Sequence, residues 1–162
     1  GAGMQSVIIG CTNLFFTVIA MSIIDMVGRK KLLLFGTAGV CIFLASIGWI
    51  FRTGGHQHLL IWLVMTFMGF FAISQGAVIW VYISEVFPNR VRAKGQSLGS
   101  FTHWICAALI SLGFPQIAKW SKSLPFVFFA AITVVQFFVV LFAYPETKGV
   151  TLEEIQKEMS VA

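Results

Sequence analysis

The sequence predicts an all-α membrane protein with five transmembrane helices and a short cytoplasmic amphipathic helix. Of its 162 residues, 58% are hydrophobic and only 10% are charged, whereas soluble domains usually carry about 25% charged residues. Five apolar runs also reach the roughly 20 residues that a spanning helix needs. Because a backbone in lipid must satisfy its own hydrogen bonds, we expect every run to be helical.

The apolar runs follow one another with short polar connections. They cover residues 5–24, 32–51, 59–84, 97–118 and 125–144, and a polar tail occupies residues 145–162. The third run is the longest, so it has room to tilt or to extend beyond the hydrocarbon. In the tail, Thr151 and Glu154 have the spacing of a capping box, and Leu152, Ile155 and Met159 follow on one face, which predicts the amphipathic helix.

The basic residues are distributed unequally between the two sides of the predicted bundle. Eight of the 11 Lys and Arg residues fall on one side and three on the other, namely Arg52, Lys119 and Lys122. The positive-inside rule makes the richer side cytoplasmic. We therefore expect an integral protein of the plasma or inner membrane, with its first residue outside and its C-terminus in the cytoplasm. An external start before five spans also suggests that helices precede this chain in a longer protein.

Several functional classes receive no support from the sequence. The three cysteines form no CxxC pair and no Cys/His cluster, so we expect neither zinc nor disulfides. We also expect no cofactor. The apolar runs contain no paired carboxylates, no nucleophile–base pair and no phosphate-binding loop, so we expect no enzyme. The net charge of +5 fits a membrane orientation signal better than nucleic-acid binding.

Three of the five runs carry a face of small, polar and aromatic residues at helical spacing. Such side chains at membrane depth normally face the bundle interior or a wet cavity. A cavity of amides, imidazole and aromatic rings suits a neutral polyhydroxylated ligand. The residues on these faces are Gly10, Asn13 and Thr17 in the first run, Gly69, Ala72 or Ile73, Gly76 and Trp80 in the third, and Gly99 or Ser100, His103, Ala107 and Ser111 in the fourth.

These faces also have plainer interpretations. Asn13 alone is typical of a hydrogen bond between helices. His103 is as compatible with a structural bundle histidine as with a functional one. Trp80 and Trp104 could belong to the interfacial aromatic belts, although both lie further from the expected span ends than is usual.

Charged residues cluster on the predicted cytoplasmic side. Asp25 and Arg29 are four residues apart, a spacing that allows them to pair, and Glu85 and Arg92 flank the turn signal Pro88-Asn89. The charges are either a solvated face, with pairs worth about 0–1 kcal/mol each, or a latch whose pairs form in one conformation and break in another. The sequence favours neither over the other.

Three motifs resemble the C-terminal half of a sugar porter of the major facilitator superfamily, the group of glucose facilitators and proton–xylose symporters. The segment 25–30, DMVGRK, resembles the D-x-x-G-R-[RK] loop between the eighth and ninth helices. The segment from Gly76 to Trp80, with 84–88 (SEVFP) and 91–92 (VR), resembles the tenth helix and its exit loop. The segment 145–149 matches the PETKG signature that follows the twelfth helix.

The resemblance covers essentially the whole chain and implies a fold, a function and site residues. The five spans would be helices eight to twelve, lacking helix seven and the N-terminal half, and the substrate would be a sugar or polyol carried by alternating access. Proton coupling is left open. The implied substrate-site residues are Asn13, Phe71, Gly76, Trp80, His103 and Trp104, and the implied cytoplasmic salt-bridge network, which holds the outward-facing state, comprises Asp25, Arg29, Glu85, Arg92 and Glu146.

The chain departs from the family pattern near these positions. Relatives often have a proline-rich segment where this chain has Gly76-Ala77-Val78-Ile79-Trp80, so we expect a stiffer tenth helix. His103 stands where relatives tend to have Asn or Gln. A non-transporting membrane sugar sensor and a structural five-helix membrane protein remain as alternatives.

Overall fold

The computed structural model describes residues 2–149, which form helices joined by short connections. The helices are α1 (Ala2–Val27), α2 (Arg29–Thr53), α3 (Leu60–Phe71), α4 (Val78–Val86), α5 (Arg92–Trp120) and α6 (Leu124–Ala143). A 3₁₀ turn (Gln57–Leu59) precedes α3, and a π-helical segment (Ala72–Gly76) joins α3 to α4, so that these pieces form one span. The described chain thus has five stretches long and apolar enough to cross a membrane, which confirms the predicted fold class. The amphipathic helix predicted from Thr151 onward lies outside the described residues.

The helices extend past the apolar runs into their charged flanks. Helix α2 begins at Arg29 and α5 at Arg92, several residues before the apolar runs that start at residues 32 and 97. Apolar composition marks the part of a helix that lies in hydrocarbon, whereas backbone hydrogen bonding continues wherever the chain stays helical. The connection between α1 and α2 is consequently reduced to Gly28.

The third span is irregular at its middle. The π segment Ala72–Gly76 interrupts the single helix that the apolar run predicts, and the Ser74 hydroxyl donates to the Phe70 carbonyl at 2.7 Å beside it. A π segment accommodates an extra residue in a helical turn and is often found at functional sites. The span is therefore irregular even though residues 57–86 contain no proline.

Helix α2 is the centre of the bundle. Half of its most apolar stretch is buried, while none of the corresponding stretch of α5 is. Close packing of α2 on the third span depends on glycine: a Cβ on Gly39 would come within 2.1 Å of the Phe70 ring, and one on Gly36 within 2.1 Å of Ser74. Two apolar clusters flank this contact. One contains Ile24, Leu32, Leu33, Val78 and Val140, and the other contains Val40, Leu44 and Ala130 with phenylalanines around them.

Candidate functional site

An aromatic group joins α4 to α5. The rings of Trp80 and His103 lie edge to face, with centroids 5.1 Å apart and planes at 71°. Trp104 extends the group, since its ring centroid is 5.5 Å from that of His103. Such edge-to-face geometry is the favourable one for aromatic pairs. Trp80 is 39% exposed and Trp104 66% exposed in the described chain, so both indoles retain surface for a further contact.

The other substrate-site predictions lie on the third span and on α1. Phe71 immediately precedes the π segment, and Gly76 is its last residue. The two are close together, because a Cβ on Gly76 would be 3.4 Å from the Phe71 carbonyl oxygen. Asn13 is half-buried on α1, which packs against α3 and the π segment. Its amide makes no hydrogen bond within residues 2–149. The structure therefore joins Trp80, His103 and Trp104 in one group and Phe71 with Gly76 in another, and Asn13 contacts neither group through a hydrogen bond or ring contact.

A polar contact between the π segment and α6 was not predicted from the sequence. The Gln75 side-chain Nε2 donates to Oε1 of Gln136 at 3.2 Å, which links the π segment to α6. Both amides are half-buried. A glutamine inside an apolar run costs free energy unless it finds a partner, so the two residues carried a usable signal, but nothing in their spacing matched them to each other.

Arg29 is the centre of the charged network. Its guanidinium binds Glu85 through two contacts, Nε to Oε2 at 3.0 Å and Nη2 to Oε1 at 2.6 Å. Its Nη1 also pairs with Oδ1 of Asp25 at 2.8 Å. The Arg29 side chain is 11% exposed, that of Glu85 28% and that of Asp25 78%. The two-pronged contact with Glu85 is thus the better shielded pair, and shielding from water strengthens such contacts.

Two residues of the segment after α6 complete the network. The Thr147 hydroxyl donates to Glu85 Oε2 at 2.6 Å. Glu146 accepts from the backbone amides of Arg29 at 2.9 Å and Lys30 at 3.1 Å, rather than from a guanidinium. Helix α2 has Gly28 at its N-cap and therefore no side chain to satisfy its first amides; the Glu146 carboxylate supplies the missing acceptor and complements the helix dipole.

Gly28 permits this capping contact. Its backbone φ angle is 97°, a positive value that glycine adopts readily and other residues rarely adopt. A Cβ at this position would also come within 2.7 Å of Glu146 Oε2. The glycine that the D-x-x-G-R-K motif supplies is thus the residue over which the capping carboxylate fits.

Arg92 lies beside the network without joining it. Its Nε donates to the Phe87 carbonyl at 3.4 Å, and it forms no ion pair with a carboxylate in the described part of the chain. A separate contact ties α4 to the same terminal segment: Tyr82 and Tyr144 stack with centroids 4.8 Å apart, and the Tyr82 hydroxyl donates to the Pro145 carbonyl at 3.3 Å. Contacts from α1, α2, α4 and the segment after α6 therefore converge at one end of the bundle.

The chemistry of these two regions is different. The aromatic group offers apolar ring surface and neutral donors and acceptors, which suit hydroxyl-bearing molecules. The network offers charges that pair among themselves across four chain segments. Within residues 2–149, no set of three His, Cys, Asp or Glu side chains is arranged to hold a metal ion.

A bundle of spanning helices with these motifs defines the class of membrane transporters, and sequence comparison identifies the family. The sequence model of the family described as "Sugar (and other) transporter" matches residues 2–159. The chain belongs to this family, whose members are integral membrane proteins.

The chain is similar in sequence to several named transporters. The chain is 38% identical over 154 residues to the arabinose-proton symporter of Bacillus subtilis (strain 168), covering 93% of this chain and 33% of that protein. It is 31% identical over 160 residues to the D-xylose-proton symporter of Escherichia coli (strain K12), covering 94% and 33%. It is 38% identical over 162 residues to the probable polyol transporter 3 of Arabidopsis thaliana, covering 95% and 32%. The chain spans about a third of the length of these relatives.

Solved structures match equally well. An inward-open structure of the E. coli xylose transporter XylE has a TM-score of 0.88 at 32% identity, over 95% of this chain and 35% of that one. The proton:xylose symporter XylE bound to 6-bromo-6-deoxy-D-glucose has a TM-score of 0.88 at 31% identity, over 97% and 34%. The suspected resemblance to a sugar porter of the major facilitator superfamily is thereby confirmed.

Proposed function

We propose that this chain forms part of a transporter that moves a neutral sugar or polyol across a membrane by alternating access, and that it has no enzymatic role. Four similar relatives are named for arabinose, hexose, xylose or polyol transport. Two are named as proton symporters, which makes a proton the candidate coupled ion. Relatives are about three times as long as the matched segment, so we propose that the preceding half of such a protein supplies the other wall of the substrate cavity.

The observation that carries this proposal is the contact of Trp80 with His103. These two rings come from different spans and meet at 5.1 Å, next to a π segment. Aromatic faces pack on the C–H groups of sugars, and a neutral imidazole has one donor and one acceptor for hydroxyl groups. Asn13, Phe71, Gly76 and Trp104 are proposed as the remaining contacts of this chain with the substrate.

The charge distribution supports an orientation of the bundle in the membrane and a role for the charged network as a latch. The network end of the bundle carries the excess of Lys and Arg, so we propose that it faces the cytoplasm and that the opposite end faces outward, in the plasma or inner membrane. The proposed latch that stabilises the outward-facing state consists of Asp25, Arg29 and Glu85, together with Glu146, which caps the N-terminus of α2. Arg92 belongs to this proposal only as a residue that could engage a carboxylate in another conformation.

Uptake of radiolabelled sugars and polyols by the full-length protein tests the substrate site. We expect Trp80→Ala and Asn13→Ala each to lower uptake efficiency at least severalfold, because each removes a contact made with the substrate. Trp62→Ala is the matched control, since Trp62 is another exposed tryptophan of the third span and lies outside the aromatic group. Unchanged uptake kinetics in both site variants, with normal protein levels, would overturn the site assignment.

Uptake with and without an imposed proton gradient then tests the coupling. Accumulation of the substrate that collapses with the gradient supports proton symport. Equilibration that ignores the gradient supports facilitated diffusion. Binding of sugar without any flux in liposomes would contradict transport and favour the sensor alternative.

A further inference from the structure

A small cavity lies between α2 and α6 at the end of the bundle opposite the charged network. It has a volume of about 110 Å³. From α2 it is lined by Ala45, Gly48, Trp49 and Arg52 and from the α6 side by Ser123, Val127 and Ala130. The four α2 residues recur at helical spacing and form one face. Gly48 allows the close approach, because a Cβ there would lie 3.0 Å from Val127 Cγ2.

Ser123 brings a polar group without a partner to this cavity. The residue is only 8% exposed, and its hydroxyl makes no hydrogen bond within the described residues. It is the N-cap of α6, yet its side chain does not cap the helix. Among the described side chains, Thr37 Oγ1 is the unpartnered polar atom that is fully sealed from solvent, so the Ser123 oxygen keeps access to open space. A largely shielded hydroxyl that neither caps its helix nor bonds another described residue is free to donate to a ligand oxygen.

Arg52 adds a positive charge to the same cavity. It forms no ion pair with a carboxylate in the part of the chain that the structure describes. The described acidic residues Asp25, Glu85 and Glu146 are all at the network end. Arg52 shares its own end with the basic residues Lys119 and Lys122. The charge beside the cavity is therefore left without a protein counterion.

The start of α6 favours the same sign of ligand. Ser123 immediately precedes α6 and Val127 lies in its first turn, so the cavity adjoins the positive end of the dipole of a 20-residue helix. A guanidinium, a hydroxyl and a helix N-terminus are the groups that proteins use to bind phosphate. The volume of about 110 Å³ leaves room for a small tetrahedral oxyanion beside Arg52 and Ser123.

We propose that this cavity is a phosphate-binding site in which Arg52 and Ser123 hold the oxygens of a phosphate group. The ligand is either the headgroup phosphate of a membrane phospholipid or free inorganic phosphate. The site is separate from the aromatic group and from the charged network, and it does not depend on which solute the protein transports.

Native mass spectrometry of the purified full-length protein tests the site with two lipids and one salt. The probes are dioleoyl phosphatidylglycerol, a galactosyl diacylglycerol with the same acyl chains but no phosphate, and inorganic phosphate as competitor. We expect Arg52→Gln to weaken phosphatidylglycerol binding about fivefold or more, since one basic residue near a membrane surface contributes about that factor, and Ser123→Ala to weaken it by a smaller factor. Lys119→Gln is the matched control, because it removes the same charge from the same end without lining the cavity.

The possible results separate the sources and also decide the proposal. Selective loss in Arg52→Gln without competition by phosphate identifies a phospholipid, and the same loss with competition identifies free phosphate; both support the site. Equal weakening by Arg52→Gln and Lys119→Gln overturns it in favour of diffuse surface charge. Binding of the galactosyl lipid as tight as that of phosphatidylglycerol overturns it as well, since the acyl chains would then account for the affinity. Thermal unfolding of each variant excludes misfolding as the cause.

Discussion

Arg29 and the carboxylates around it show what residue-level reasoning could and could not predict. The four-residue spacing of Asp25 and Arg29 allowed their pairing, and the structure has this pair at 2.8 Å. The pair with Glu85, 56 positions away, rested on family resemblance alone, because no local pattern links such distant residues. The contact of Glu146 with backbone amides was missed because it depends on where α2 begins, and composition placed that start three residues too late.

The first prediction concerns the unequal contributions of the Glu85 and Asp25 carboxylates to stability. Glu85→Gln removes the charge that makes two contacts with the shielded Arg29 guanidinium, whereas Asp25→Asn alters a side chain that is 78% exposed. Breaking a partly buried, charge-assisted contact of this kind costs about 1.5–3 kcal/mol, and an exposed pair contributes about 0–1 kcal/mol. At about 2 °C per kcal/mol, we expect the melting temperature in detergent to fall by about 3–6 °C for Glu85→Gln and by about 2 °C or less for Asp25→Asn. Equal shifts in the two variants would contradict the assignment of Glu85 as the main partner.

At the scale of elements, run length and polarity predicted five spans and their order, and these are the features that a lipid environment enforces most strictly. The π segment Ala72–Gly76 was not predicted, because an extra residue in a helical turn leaves no mark on composition. The Trp80–His103 contact was only half predictable. Each residue lay on a polar face of its own span, but their separation depends on how α4 and α5 pack, which sequence spacing does not contain.

The second prediction concerns what holds the π segment to α6. Gln75→Leu or Gln136→Leu leaves the remaining amide without its partner at membrane depth, while the double variant removes both polar groups. The cost of the double variant should therefore be smaller than the sum of the single costs. We expect a coupling of about 0.6–1.5 kcal/mol, within the range for hydrogen bonds between membrane helices. A double-mutant cycle on unfolding in detergent measures it.

Gln116→Leu serves as the control in that cycle. Gln116 is exposed on α5, and within residues 2–149 its side chain accepts one hydrogen bond, from Lys119 Nζ one turn away. Its replacement should therefore be additive with Gln136→Leu. Additivity of Gln75→Leu with Gln136→Leu as well would show that the 3.2 Å contact contributes nothing to the stability of the bundle.

At the scale of the whole molecule, burial is concentrated in α2, and α5 is the least buried span. Helix α2 is half-buried, whereas the apolar stretch of α5, which carries His103 and Trp104, has no buried residue in the described chain. An open apolar and aromatic face agrees with the proposal that another part of a longer transporter closes the cavity. The convergence of four segments at the network end would then couple that closure to Arg29 and Glu85.

The last prediction tests this coupling through the accessibility of the open face. A single cysteine at Ala107, one helical turn beyond His103, reports access in a full-length protein whose Cys11, Cys41 and Cys106 have been replaced. Arg29→Ala or Glu85→Ala removes the pairs proposed to stabilise the outward-facing state, so the population should shift inward. We expect a membrane-impermeant maleimide to label Ala107→Cys severalfold faster from the cytoplasmic side and more slowly from the outside. Lys31→Ala is the control, because it removes an exposed charge next to Arg29 that forms no ion pair in the described chain. Labelling ratios that stay the same in Arg29→Ala, Glu85→Ala and Lys31→Ala would show that the network stabilises packing in both states and does not act as a latch.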